Sequence, residues 1–324
     1  MASLPAEPLR MPEMMHGFAI RRFGDPGELH QRPVPLPLPS QVLIRVYAAG
    51  VNPVDWKIRD GRTGIEKPQF PLYLGNDFAG IVLNPGEDVE NWTPGQEVFG
   101  SAWLGGAFAE YMVVEESGLL MEKPERVSFA AAAAAPTPAL TAMAAHEALQ
   151  PREGERVLVM GATGGVGTYA VQLLAQAGAK VWATARGAEA QARLRELGAA
   201  EIVDYTQPGW EKQLRARQPA GFDAVLDLVH DPSKIADGAQ WVKTGGKLAS
   251  TLYAAEAAMA QGRELEARNA NMLRTRDALE DLAERMETGR LKPPPLQGMP
   301  LEKAGEALEK LKQGQAGGKI VLRI

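Results

Sequence analysis

Residues 157–167 read Val157-Leu158-Val159-Met160-Gly161-Ala162-Thr163-Gly164-Gly165-Val166-Gly167, and the fold turns on how this stretch is understood. Four apolar residues running into a glycine cluster read as a short buried strand, and the apolar periodicity from Thr168 to Ala177 reads as a helix. Strand, glycine turn and helix together form a cradle for phosphate. Glycine has no Cβ to hold a pyrophosphate off the backbone, and the helix start offers unpaired N–H groups and a partial positive charge. Gly161, Gly164 and Gly167, with Ala162 where a first glycine often sits, approximate the dinucleotide-binding fingerprint. Alone, such a pattern also describes a tight turn; the strand before it and the helix after it favour a bound dinucleotide.

Working outward, the C-terminal side alternates. Strand patterns at 180–184, 201–203, 224–228 and 247–251 are interleaved with a helix at 188–197 that ends at Gly198. This order predicts a parallel, doubly wound sheet. The N-terminal side, from His16 to about Arg126, is β-rich, with strands at 41–48, 80–83 and 97–99 and turns at Pro85-Gly86 and Pro94-Gly95. It predicts a compact, partly open barrel-like domain. Between them, 128–150 reads as a helical small-residue linker containing Ala131–Ala135. After about Leu265 the chain turns helical and charged, breaks at Pro293-Pro294-Pro295, resumes as a helix at 301–311 and ends as a strand at 319–324. That terminal strand predicts a return to the first domain, giving a discontinuous unit of 1–126 and 266–324 around an inserted unit of 127–265.

Composition bounds the function. A chain of 324 residues suits two domains, and a net charge of −5 argues against a broad nucleic-acid footprint. With no cysteine there is no disulfide, thiolate zinc site or cysteine nucleophile, which fits the cytoplasm. No apolar run approaches the roughly 20 residues of a membrane-spanning helix. Residues 1–12 are Pro-rich, lack a signal-peptide core and read as a loose extension.

Several short motifs in order resemble one family, the zinc-independent quinone-oxidoreductase (zeta-crystallin-like) branch of the medium-chain dehydrogenase/reductases. They are Ala49-Gly50-Val51-Asn52-Pro53-Val54-Asp55, 71–80 (PLYLGNDFAG), 94–100 (PGQEVFG), the turn 164–167, 221–227 (GFDAVLD) and 318–322 (GKIVL). The resemblance spans about 17–322 and implies an α/β architecture: a GroES-like β-rich catalytic domain, a Rossmann domain inserted into it, and a cleft between them. It also implies a homodimer.

Zinc alcohol dehydrogenases, which look like cousins, place a cysteine and a histidine where this chain has Asn52 and Asn76, the latter followed by Asp77. Neutral amides are poor zinc ligands, the four-cysteine structural lobe is missing, and His16, His30, His146 and His230 show no ligand spacing. No catalytic metal is expected. For the cofactor, an acid about 20 residues past the glycine turn marks an NAD ribose site. Here 181–187 (VWATARG) has none, and Arg186 stands just beyond the strand. An arginine pairs with a 2′-phosphate, so the expectation is NADPH. Tyr205 resembles the tyrosine the family places beside that phosphate. A solvated arginine and a packing tyrosine are the competing readings, and Arg193 reads as solvated.

The resemblance further implies cofactor contacts from Thr141, Thr163, Gly164, Gly165, Val166, Gly167, Val229, Thr251 and Leu252, with Tyr253 against the substrate pocket. Without a metal there is no Lewis acid to polarise a simple ketone, so the acceptor must already be electrophilic. A quinone is the first expectation, an α,β-unsaturated aldehyde or ketone the alternative, and a non-catalytic NADPH-binding protein the reading of another class. Asn52 is the candidate for orienting the nicotinamide ribose or acceptor oxygen, against a turn-forming Asn before Pro53. Asp55 is read as orienting Asn52 or the ribose, or as capping the helical turn 56–60. Asn76 and Asp77 are read as structural.

Overall fold

A computed structural model describes residues 12–260 and 262–324; the N-terminal extension, apart from Pro12, lies outside the described residues. Six strands form one all-parallel sheet in the spatial order 201–203, 180–184, 156–160, 222–227, 242–250, 265–269. Its first strand, Arg156–Met160, lies in the middle. The chain winds outward to one side through Lys180–Thr184 and Glu201–Val203, then crosses back to build the other side from Phe222–Asp227. The glycine turn therefore sits at the point where the winding direction reverses, the place where open α/β sheets bind ligands.

The last strand, Leu265–Asn269, pairs in parallel with Val242–Ser250. It is the one parallel strand that the sequence pattern does not reveal, because its residues Leu-Glu-Ala-Arg-Asn alternate between half-buried and exposed. We therefore place the break between the two parts after Asn269, past the boundary read at 265/266.

The β-rich part holds a seven-stranded sheet in the order 296–300, 319–323, 41–50, 77–85, 97–101, 119–122, with 111–115 paired to 41–50, and a three-stranded sheet of 14–20, 28–33 and 72–73. The C-terminal strand Lys319–Arg323 runs antiparallel to Gln41–Gly50, with Val321 opposite Gly50. The chain thus rejoins the sheet it started. No helix among the described residues is long and apolar enough to cross a membrane.

Four helices position the site: α1 (Pro53–Arg59), α2 (Phe129–Ala133), α3 (Pro136–Leu149) and α4 (Gly165–Gln176). The alanine run is core, not a linker: Ala132, Ala133, Ala134 and Ala135 are all fully buried in the cluster that packs α3 and α4 on the parallel sheet. Small side chains let the backbone come close here; a Cβ on Gly50 would collide with the carbonyl oxygen of Ala133.

Gly167 is the closest approach in the glycine turn. A methyl there would lie 2.6 Å from Cα of Ala162 and against the carbonyl of Gly161, both backbone and unable to yield. Gly167→Ala is expected to lower the unfolding free energy by about 1–3 kcal/mol. Gly164→Ala, whose methyl would meet only the Gly161 oxygen at 3.4 Å, is expected to stay within about 0.5 kcal/mol of the wild type. Denaturant titration of both checks the contrast, and equal stabilities would contradict it.

Candidate active site

At the glycine turn, α4 begins with Gly164 in its capping position, and no side chain caps it. The Gly164 N–H is taken by Gly161 carbonyl oxygen at 3.1 Å, and the first helical bond runs from Thr168 N–H to Gly164 carbonyl oxygen at 2.9 Å. The N–H groups of Gly165, Val166 and Gly167 precede the first possible intrahelical donor and carry the helix's partial positive charge. Gly161 adopts φ of +84° and is fixed from the neighbouring strand, its N–H donating to Thr184 Oγ1 at 3.0 Å. Thr184 has a role that sequence reading misses, since its signal is only a threonine ending a strand.

The remaining cofactor-side candidates line the same edge, where the parallel strands end. Arg186 follows 180–184, Tyr205 follows 201–203, Val229 follows 222–227, and Thr251 to Tyr253 follow 242–250. Arg186 and Thr163 are exposed, and among the described residues Arg186 has no protein partner. Arg193 is paired with Glu189 at 2.9 Å. Tyr205, Val229 and Tyr253 are large apolar side chains left 43%, 51% and 69% exposed. Val229 is held by its N–H to buried Asp227 at 3.0 Å, and Leu252 by its N–H to Ser250 Oγ at 3.1 Å. Thr141 is set apart from this row: it is buried in α3, and its hydroxyl donates back to Thr137 carbonyl oxygen at 2.6 Å.

On the opposite side a polar network is buried. Asn52, Asp55, Asn76, Asp77 and Lys319 are all 5% exposed or less. Asn52 is the capping residue of α1, and Asp55 is its third residue. The Asp55 carboxylate accepts from Asn52 N–H at 2.7 Å, so Asp55 closes the start of its own helix rather than capping a turn at 56–60. Its other oxygen accepts from Asn76 Nδ2 at 2.7 Å. The Asn52 carboxamide donates to Asp77 Oδ2 at 2.7 Å and to Gly50 carbonyl oxygen at 3.3 Å, and its oxygen accepts from the Lys319 ammonium. Lys319 also donates to Val51 carbonyl oxygen at 2.9 Å. Asp77 holds the N-terminus of α3 as well, accepting from Thr137 N–H at 3.0 Å and Thr137 hydroxyl at 2.7 Å.

Asn76 and Asp77 therefore hold the site together rather than merely joining strands. Sequence reading quotes Lys319 only as part of the motif 318–322 and assigns it no role, and it misses Thr137 altogether. It also passes over Trp103, 44% exposed on the loop that Asn76 tethers through Leu104 N–H at 3.0 Å. The Arg274 guanidinium, from the segment after the last parallel strand, lies 5.5 Å from the Trp103 ring.

Burial sets the electrostatics. Removing Asp55 from water raises its carboxyl from the ordinary 3.8 to about 7; the charge of Asp77 adds to this, while the Asn52 N–H, Lys319 and Asn76 oppose it. Burial lowers the Lys319 ammonium, against the pull of Asp77 and Asp55. Tyr169 of α4, fully buried with no hydrogen-bond partner for its hydroxyl, is pushed up by burial and by the Asp77 charge. The amide atoms of Asn52 and Asn76 are engaged within the protein, and no His, Cys, Asp or Glu cluster of metal-binding type occurs among the described residues.

A nucleotide-type cradle facing a buried polar network, carried on a Rossmann sheet and a GroES-like sheet, defines a medium-chain dehydrogenase/reductase. Comparison with known proteins agrees. The alcohol dehydrogenase GroES-like domain matches 38–125 and the zinc-binding dehydrogenase model matches 197–322. The quinone oxidoreductase of Sus scrofa is 32% identical, over 96% of this chain and 98% of that one. The mitochondrial NAD(P)H oxidoreductase RTN4IP1 of Homo sapiens is 31% identical, over 88% and 82%. The structure of the quinone oxidoreductase from Coxiella burnetii superposes with a TM-score of 0.84 at 30% identity, covering 96% of this chain and 99% of that one. The chain belongs to the zinc-independent, quinone-oxidoreductase-like branch of the medium-chain dehydrogenase/reductases and is an oxidoreductase.

The raised Asp55 pKa has a stability consequence. A carboxyl that titrates near 7 when folded and near 3.8 when unfolded holds more protons in the native state between those values, so its contribution to stability is present at low pH and lost as pH rises through about 7. The stability advantage of wild type over Asp55→Asn is expected to shrink over this window, by at most about 1.4 kcal/mol per pH unit. Denaturant unfolding at a series of pH values measures it, and an advantage constant with pH would show the carboxyl ionised throughout.

Proposed function

We propose that the protein is an NADPH-dependent, metal-independent reductase of quinones. The observation that carries the cofactor choice is Arg186, a cation with no protein partner among the described residues, at the end of the strand beside the glycine turn. The residues fit a dinucleotide. The space in front of Gly164 is open, the start of α4 is uncapped, and Thr184 fixes the turn from behind. The relatives named NAD(P)H oxidoreductase support the nicotinamide class.

In this reading the turn 163–167 holds the pyrophosphate, Arg186 the 2′-phosphate with Tyr205 beside it, and Val229, Thr251 and Leu252 the nicotinamide end. Bound NADPH supplies a hydride. The protein aligns the acceptor and excludes water around it, with Asn52 and Asp55 as the orienting pair and Tyr253 and Trp103 as flat surfaces for a planar ring. A two-electron reduction of a quinone also takes up one proton, which water at the open cleft edge can supply. The quinone-oxidoreductase relatives support the acceptor class. Among the described residues the strand Leu265–Asn269 pairs on one side only, and we propose its free edge as the contact of a homodimer.

Two measurements test this. Titration with NADPH and NADH should show tighter NADPH binding, and Arg186→Ala should weaken NADPH by about 10- to 100-fold, the worth of a charge-assisted pair, while leaving NADH unchanged. An unchanged preference would remove Arg186 from the site. A panel of quinones and alkenals with NADPH should show quinone turnover. Turnover of alkenals alone would make the protein an enone reductase, and tight binding without turnover a non-catalytic NADPH-binding protein.

A further inference from the structure

Lys319 opens the last strand and is 5% exposed. Its stem passes the start of α4, with Cδ 3.9 Å from where a Cβ of Gly165 would stand. Its ammonium then reaches Val51 carbonyl oxygen and the Asn52 carboxamide oxygen. Taking an ammonium out of water is costly, and an aliphatic residue would fill a strand position more cheaply. What the charge does is visible in the hydrogen bonds of Asn52.

A carboxamide has nearly the same shape when its oxygen and nitrogen are exchanged, so packing alone does not fix which end points where. Here the two neighbours are of opposite kind. Lys319 can only donate and the Asp77 carboxylate can only accept. With Lys319 on the oxygen and Asp77 on the nitrogen at 2.7 Å, the amide is satisfied. Turned over, it would set N–H against ammonium and oxygen against carboxylate.

We propose that Lys319 is a positioning residue for turnover, which with Asp77 locks the Asn52 carboxamide in a single orientation at the cofactor side of the cleft. The inference rests on the reading of this site as a reductase site, and its test separates the two. In protein labelled with 15N-asparagine, the Asn52 side-chain amide, assigned by its loss in Asn52→Ala, should give one shifted and slowly exchanging pair of proton signals. Lys319→Met should abolish that shift and protection while leaving the Asn91 side-chain signals in place. With NADPH and a quinone, the same variant should lose about 10- to 100-fold in kcat, the range expected for a misplaced orienting group, with the NADPH dissociation constant within about threefold. Lys319→Arg, which keeps the donors, should recover part of the loss.

If Lys319→Met does not fold, Lys319→Met/Asp77→Asn removes both charges together and should fold yet remain slow. An unchanged Asn52 signal, or a wild-type kcat in Lys319→Met or in the folded double variant, would overturn the proposal while the reductase reading stands. Loss of NADPH binding in proportion to kcat would overturn it too, because Lys319 would then serve affinity alone. A wild-type protein that reduces no acceptor overturns the reductase reading and this inference with it.

Discussion

One buried carboxamide, Asn52, held between the Lys319 ammonium and the Asp77 carboxylate, ties the molecule together. Lys319 and Asn52 stand at opposite ends of the sequence, and their contact closes the seven-stranded sheet around the start of α1. Asp77 carries the same chain of polar contacts on to Thr137 and so to α3, which packs on the parallel sheet. A charge left alone in such a place costs far more than it returns, so these side chains are fixed by one another and not by packing alone. The β-rich part is thus tied through Asp77 to α3, and through α3's packing to the parallel sheet.

The opposite wall works by a different principle. The parallel sheet offers backbone and small residues: an open glycine turn, an uncapped helix start and a row of side chains following the strand ends. Little there is polar and committed, and Tyr205, Val229 and Tyr253 are left open. A preassembled wall facing an open one suits a site in which the chain fixes the orienting groups beforehand and leaves room for two flat partners to stack.

How much of this is legible in the sequence follows from distance along the chain. The strand 157–160, the glycine turn and the helix after it are local, and apolar periodicity with glycine spacing is enough to read them. The parallel alternation is equally local, apart from Leu265–Asn269, whose half-buried edge position leaves a mixed pattern. Ala132 to Ala135 mislead because small residues read as a spacer, whereas they are what lets two backbones approach. Asn52 and Asp55 are visible through motif position. Their partners Asn76, Asp77 and Lys319 are not assignable as partners, since nothing local states that residues so far apart will share hydrogen bonds. Thr137, inside a Pro-Thr-Pro break, looks like punctuation and proves to be a ligand of Asp77.

The late position of Lys319 also bears on how the molecule is made. The parallel sheet is drawn from one continuous stretch, 156–269, and its contacts can form as that stretch leaves the ribosome. The Ala48–Gly50 end of the strand Gln41–Gly50, by contrast, must wait unpaired on one side until Lys319–Arg323 arrives. For the last stretch of synthesis the nascent chain therefore has the parallel sheet with its glycine turn but not the final strand, and Asp55 and Asp77 lack the Lys319 charge. A chain terminated before that strand carries an unpaired stretch of sheet edge and two acids without their cation, the kind of surface that quality-control proteases and chaperones recognise.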